Sequence, residues 1–125
     1  MQKIGFLFIL FVFVSCEKNS LEKDIATENT CGVKRPTRDL PWLKERIHSS
    51  ERLAGRLRVF QGNYEGETVF TMDIFVGPDG NPTSTYRCDG ALLCSVSYTV
   101  AGPIGDCPKL PSKITNNVLI YDSGE

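Results

Sequence analysis

The sequence is poor in the residues that most often carry chemistry: a single histidine, a single tryptophan and two methionines in 125 residues. With His48 the only imidazole, a histidine-rich metal site is ruled out. A relay within His48-Ser49-Ser50 fails as well, because neighbours on a helix point about 100° apart. The expectation is a solvated helix-surface imidazole, the alternative a relay to a distant carboxylate or to a free Cys31. No glycine-rich phosphate loop, dinucleotide fingerprint or nucleic-acid motif occurs, so neither a nucleotide cofactor nor nucleic acid is expected. The longest apolar run, Ile4 to Val14, spans eleven residues, short of the roughly 20 that a membrane-spanning helix needs.

That run is the length of a signal-peptide core, with Lys3 before it and Ser15 and Cys16 after it. The triplet Phe13-Val14-Ser15 ahead of Cys16 resembles the lipobox of bacterial lipoproteins, where a signal peptidase cuts before an acylated cysteine. An ordinary secretory signal would want a small residue where Phe13 sits. The resemblance implies that residues 1–15 are a signal peptide. It also implies that Cys16 carries a diacylglycerol plus an amide-linked chain, which exceeds the two-signal threshold for stable membrane anchoring. In some Gram-negative bacteria an Asp after the lipidated cysteine is associated with inner-membrane retention; Glu17 there favours the outer membrane.

Cleavage before Cys16 leaves one domain's worth of chain, enough to bury about two-thirds of its unfolded surface. Glu17 to Thr30 has no aromatic and only Leu21, Ile25 and Ala26 as apolar residues, so residues 16–30 read as a lipidated tether reaching about 20 Å. Residues 31–125 form the folded domain. Its charge is uneven: Lys34 to Arg58 holds eight basic residues against three acidic, and residues 59–125 hold three basic against eight acidic. The expectation is that the two halves complement each other across the fold or simply solvate it, the alternative a basic docking face for an anionic partner.

Once Cys16 is assigned to lipid, Cys31, Cys88, Cys94 and Cys107 remain. An even number in a small exported domain reads as two disulfides. Zinc would want close cysteine pairs plus histidine, and successive spacings of 57, 6 and 13 do not provide them.

Along the domain, Asp39 can cap a helix and Pro41 suits its first turn. Leu40, Leu43, Ile47 and Ala54 fall on one arc opposite Lys44, Glu45, His48, Ser49 and Arg52, so one amphipathic helix is expected, ending near Ser50 or at latest by Gly55. The period then changes to two. Leu57–Phe60 reads as a strand entering a Gly62-Asn63 turn, and Thr68–Phe75 as a strand with Phe70, Met72 and Ile74 on one face. Gly77–Pro82 is a loop. Thr83–Cys88 and Leu92–Tyr98 make a hairpin about Asp89-Gly90, Ala101–Gly105 breaks the pattern, and Ile114–Tyr121 adds a last strand. The expected fold is α+β: one N-terminal amphipathic helix packed on a small antiparallel meander, stapled by disulfides.

With a three-residue hairpin loop, Cys88 faces Leu92 and Cys94 faces Tyr86, leaving the sulfurs on a diagonal of about 7–8 Å, too far to bridge. A two-residue loop sets them on opposite faces, and only a five-residue loop opposes them directly. Each cysteine is therefore expected to reach outside the hairpin, one to Cys31 and one to Cys107, with Cys31–Cys88 and Cys94–Cys107 the favoured pairing.

Candidate sites are few. Trp42 lies at the edge of the apolar arc, as an anchor over the core rim or as a binding hot spot. With Arg46 and Arg52 on the basic helix it makes up the candidate binding set. Asp79-Gly80-Asn81 lacks the alternating ligands and terminal Glu of an EF-hand and reads as turn chemistry, so no metal is expected.

Cys31-Gly32-Val33, Pro36, Asp39-Leu40-Pro41-Trp42-Leu43-Lys44 and the Tyr86-Arg87-Cys88-Asp89-Gly90 hairpin with Cys94 resemble a group of small Gram-negative lipoproteins of no established activity. The likeness spans Cys31 to Cys107 and implies the architecture and the anchor but no chemistry. The expectation is a monomeric, non-enzymatic, lipid-anchored binding module of the cell envelope, attached to the membrane through Cys16 and meeting an envelope or extracellular protein. An inhibitor of an exported hydrolase, with loops Gly77–Pro82 and Val100–Asp106 as wedges, is the alternative. A small envelope enzyme is a third reading, disfavoured because no nucleophile and base pair by spacing.

Overall fold

The computed structural model describes residues 31–53 and 55–124. Cys16, the signal segment, the tether and Ala54 lie outside them. Two short helices precede six strands, and the strands form one antiparallel sheet. The architecture is mostly β with a small helical layer, compatible with the α+β expectation, and two disulfides staple it.

The single expected helix is split. Pro36 opens α1 (Pro36–Asp39) and Pro41 opens α2 (Pro41–Ser50), each proline sitting where its missing N–H costs nothing. Between them Leu40 is extended, at φ −92° and ψ 107°, because a following proline disfavours helical backbone. Asp39 consequently does not cap α2; its Oδ2 accepts the Arg35 N–H at 3.1 Å. Leu40, Leu43 and Ile47 are buried against Leu57, Val59, Phe70, Met72 and Ile120, the main core. Burying an aliphatic side chain of this size contributes roughly 1.5–3 kcal/mol.

β1 (Arg56–Tyr64) and β2 (Glu67–Phe75) pair in unbroken register. The expected turn at Gly62-Asn63 is strand, and the chain reverses at Glu65-Gly66 instead. Both residues have positive φ, 51° and 81°, as a two-residue type I′ turn requires. Gly62 serves close contact rather than reversal: a Cβ there would sit 2.5 Å from Ile114 Cγ2 and 2.7 Å from Asn117 Oδ1.

β3 (Asn81–Arg87) and β4 (Leu92–Thr99) form the expected hairpin. Its register differs from the three-residue-loop expectation, because Leu93 is an extra residue that places Cys94 opposite Thr85 and not Tyr86. Residues 102–105, expected as a break, form β5 (Gly102–Gly105) on β4. As an edge strand it tolerates Pro103, which has no N–H to donate.

The sheet order is β5-β4-β3-β2-β1-β6. β6 (Thr115–Asp122) thus departs from a simple meander, pairing with β1 at the edge opposite β5. Residues 106–114 must cross the whole sheet to get there, and they cross the face turned away from α2 as a strap. Leu110 and Cys107 pack there with Cys94 and Val96, and a 3-10 turn at Pro111–Lys113 follows.

The disulfides are Cys31–Cys88 and Cys94–Cys107, with Cα separations of 5.5 and 5.9 Å, inside normal bridging range. This is the favoured pairing. The first ties the start of the domain to the β3–β4 turn, and the second nails the strap to the sheet. The charge halves also complement each other: Arg56 pairs with Asp122 and Arg58 with Asp73.

Candidate functional site

The sheet carries an open depression on each face. On the helix side, a cleft of about 460 Å³ lies between α2 and strands β2 and β3. Trp42 stands at one end. Its Nε1 donates to the Cys88 carbonyl at 2.8 Å, and its ring meets Phe70 edge-on at 5.8 Å and Tyr86 at 5.7 Å. The approach to the turn is so close that a Cβ on Gly90 would lie 2.8 Å from the indole. Trp42 is therefore a structural anchor that also lines the cleft. One turn on, Arg46 stacks over Tyr86 at 4.4 Å and reaches its hydroxyl at 3.5 Å, a cation–π contact.

Arg52 is not brought to this cleft. It lies past the end of α2 on the exposed side, with Nη2 3.0 Å from His48 Nε2. A guanidinium only donates, so Nε2 is the acceptor of this pair. Ser49 donates to the Glu45 carbonyl at 2.9 Å rather than to the imidazole.

A second depression was not visible in the sequence. It measures about 470 Å³ and lies on the strap face. The alternation of β1 and β2 turns Arg58 and Asp73, which are register partners, inward onto this face. They form an ion pair on its floor, where Asp73 is 17% exposed. Thr83 donates to the other carboxylate oxygen at 3.2 Å. Among the described residues Arg58 Nε is buried without an acceptor, and the guanidinium lies 5.6 Å from the Phe60 ring. Phe75 and Tyr98 stand at the mouth, 49% and 38% exposed. Partial burial first, and then the Asp73 carboxylate, raise the Tyr98 hydroxyl above its ordinary 10.0, so it stays protonated at neutral pH. Asn81 also lines the groove, and its Oδ1 accepts the Val76 N–H at 3.1 Å. The signal that could have found this site is a charged residue in each of two neighbouring strands, Arg58 and Asp73, at positions where the alternation points inward.

Topology also sorts the loops. The α2–β1 connection, the β2–β3 loop and the β4–β5 turn gather at one end of the sheet, with exposed Leu53, Phe75, Val76 and Val100. Cys31, Cys88 and the N-terminus of α2 lie at the other end. Strands of nine residues separate the two ends by about 26 Å.

Asp79 and Gly80 belong to a turn in which the Gly80 N–H donates to the Tyr98 carbonyl at 3.0 Å. Among the described residues no group of three or more His, Cys, Asp or Glu side chains could hold a metal ion. Compared with protein-family models, with curated proteins and with solved structures, the chain matches none.

Proposed function

We propose that the protein is a lipid-anchored binding module of the cell envelope, held in the outer membrane through an acylated Cys16 and acting without turnover. The observation that carries the reading is the polarity of the domain. The tether joins at Cys31, which is bonded to the β3–β4 turn, while the exposed apolar loop tips and the mouth of the strap-face groove lie toward the opposite end. A domain tied down at one end and offering its recognition features at the other suits display from a surface. Four sulfurs used in two disulfides suit an oxidising compartment.

The anchor is tested by fractionating envelopes and weighing the intact protein. The native chain is expected in the membrane fraction with the added mass of its acyl chains, and Cys16→Ser in the soluble fraction without it. A Cys16→Ser protein that stays membrane-bound at unchanged mass overturns the anchor.

Inhibition of an exported hydrolase is a second reading, favoured by one feature. Loop Gly77–Gly80 and turn Val100-Ala101 share the free end, where Val100 is 85% exposed. Residues 102–105 of the expected second wedge are strand, so only the turn tip is available. Affinity capture from envelope extracts separates the readings. One stoichiometric hydrolase whose turnover falls on binding supports the inhibitor, and capture without loss of turnover supports the simple module.

A further inference from the structure

We propose that the strap-face groove binds an uncharged saccharide, with Phe75 and Tyr98 stacking on the sugar and Arg58, Asp73, Asn81 and Asn117 reading its hydroxyls; this gives a ligand class to the binding module proposed above. Three properties of the groove converge on that class.

The first is charge. Among the described residues, Arg58 and Asp73 are the only charged ones lining the groove, and they neutralise each other. An anionic ligand on Arg58 would lie against the Asp73 carboxylate, and a cationic one on Asp73 against the Arg58 guanidinium. Either would set like charges together in a partly buried site, which is unfavourable. A neutral ligand disturbs neither.

The second is the mixture of donors and acceptors. The guanidinium of Arg58 uses only Nη2, toward Asp73. The Asn81 amide nitrogen donates, the Asn117 amide does both, and Tyr98 brings a hydroxyl. A lipid or a purely apolar ligand would desolvate these groups with nothing to bond them. Sugar hydroxyls both donate and accept, and a vicinal pair matches the fork of a guanidinium or a carboxylate.

The third is the aromatic pair. Phe75 and Tyr98 expose ring surface at the groove mouth while their strands fix the backbone. The C–H face of a pyranose is the apolar surface that such rings cover while the hydroxyls at its rim stay with the polar floor. At about 470 Å³ the space falls within the roughly 300–1,000 Å³ of small-ligand sites. Its open mouth lets a longer chain continue outward.

The test is calorimetric titration of the full-length protein, purified in a detergent that carries no sugar headgroup. The probes are neutral hexasaccharides of glucose (α- and β-linked), xylose, mannose and N-acetylglucosamine, with polygalacturonate and a cationic chitosan oligomer as charged comparators. At least one neutral probe should bind with a Kd below about 1 mM. Tyr98→Ala and Phe75→Ala should each weaken it about tenfold, with the thermal midpoint kept within a few degrees. Lys44→Ala, exposed on α2 across the sheet, should leave it unchanged. Silence across the neutral probes, binding of the charged comparators alone, or full affinity retained in Tyr98→Ala overturns the proposal. If the neutral probes are silent while envelope extracts still yield a stoichiometric protein partner, the saccharide is wrong and the binding module stands. If both fail, the module fails with it.

Discussion

Removing the two disulfides one at a time should destabilise the domain unequally, in an order set by the loops they close. Cys94–Cys107 joins residues 13 apart and Cys31–Cys88 residues 57 apart. The loop-entropy relation assigns about 3 kcal/mol to the shorter and about 4 kcal/mol to the longer. Replacing both partners by alanine in each case removes two sulfurs, so the difference of about 1 kcal/mol isolates loop length. Urea unfolding followed by Trp42 fluorescence suits the comparison, because the only tryptophan sits in the helix–sheet seam that breaks on global unfolding. With a slope of about 1.5 kcal/mol/M, the midpoint should fall by about 2 M for Cys94→Ala/Cys107→Ala and by nearly 3 M for Cys31→Ala/Cys88→Ala. Amide exchange adds a local readout: protection near Leu110 should drop in the first variant and persist in the second. Midpoints that move by less than about 0.5 M, or in the inverse order, would refute the loop-closure reasoning.

Two further outcomes follow from the β1–β6 seam. Arg56 grips Asp122 through two hydrogen bonds of 2.8 and 2.7 Å, and this contact, with the Gly124 N–H, holds the Asp122 carboxyl below its ordinary 3.8. A carboxyl depressed in the folded state stabilises fully above its unfolded value and loses that contribution as pH falls through the folded one. Since Arg56 is half-exposed, solvent screening limits the effect, and Asp122→Asn should cost about 0.5–1 kcal/mol at pH 7. Thermal melts should show the gap from wild type closing as the solution is acidified below 3.8; a gap independent of pH would contradict the pairing. Gly62→Ala places a methyl into Ile114 and Asn117 and should cost about 1–3 kcal/mol. Hydrogen exchange should speed up along β6 and not along β3, and uniform protection would contradict the close approach.

Local signals in the sequence were legible where a single rule governed them. Leu43, Ile47, Phe70 and Met72 follow the helical and strand periods and sit in the core. The β3–β4 hairpin followed from turn chemistry; reach required only that each hairpin cysteine bond outside the hairpin, and of the two pairings then open the favoured one is formed. Where two rules competed, the outcome depended on tertiary context. Gly62-Asn63 reads as a turn until β6 arrives alongside it, and Leu40 reads as helical until Pro41 is allowed to act on the residue before it. Of the candidate binding residues, Trp42 and Arg46 meet at Tyr86, and Arg52 stands apart with His48. The strap-face groove stayed hidden because its floor comes from β1 to β4 and its edge from the strap and β6, a convergence that no local pattern encodes.

The return of β6 to the side of β1 has a bearing on when the chain becomes a folded object. Ile120 belongs to the main core and Asp122 is the register partner of Arg58, so a strand synthesised late completes a structure begun by a much earlier one. Contacts this distant in sequence form late, since closure must come before any reward. A polypeptide emerging front end first, from a ribosome or through a translocation pore, therefore stays pliable until β6 has emerged. The link at Cys31–Cys88 can form some thirty residues earlier, giving the nascent chain a fixed corner before it has a finished sheet.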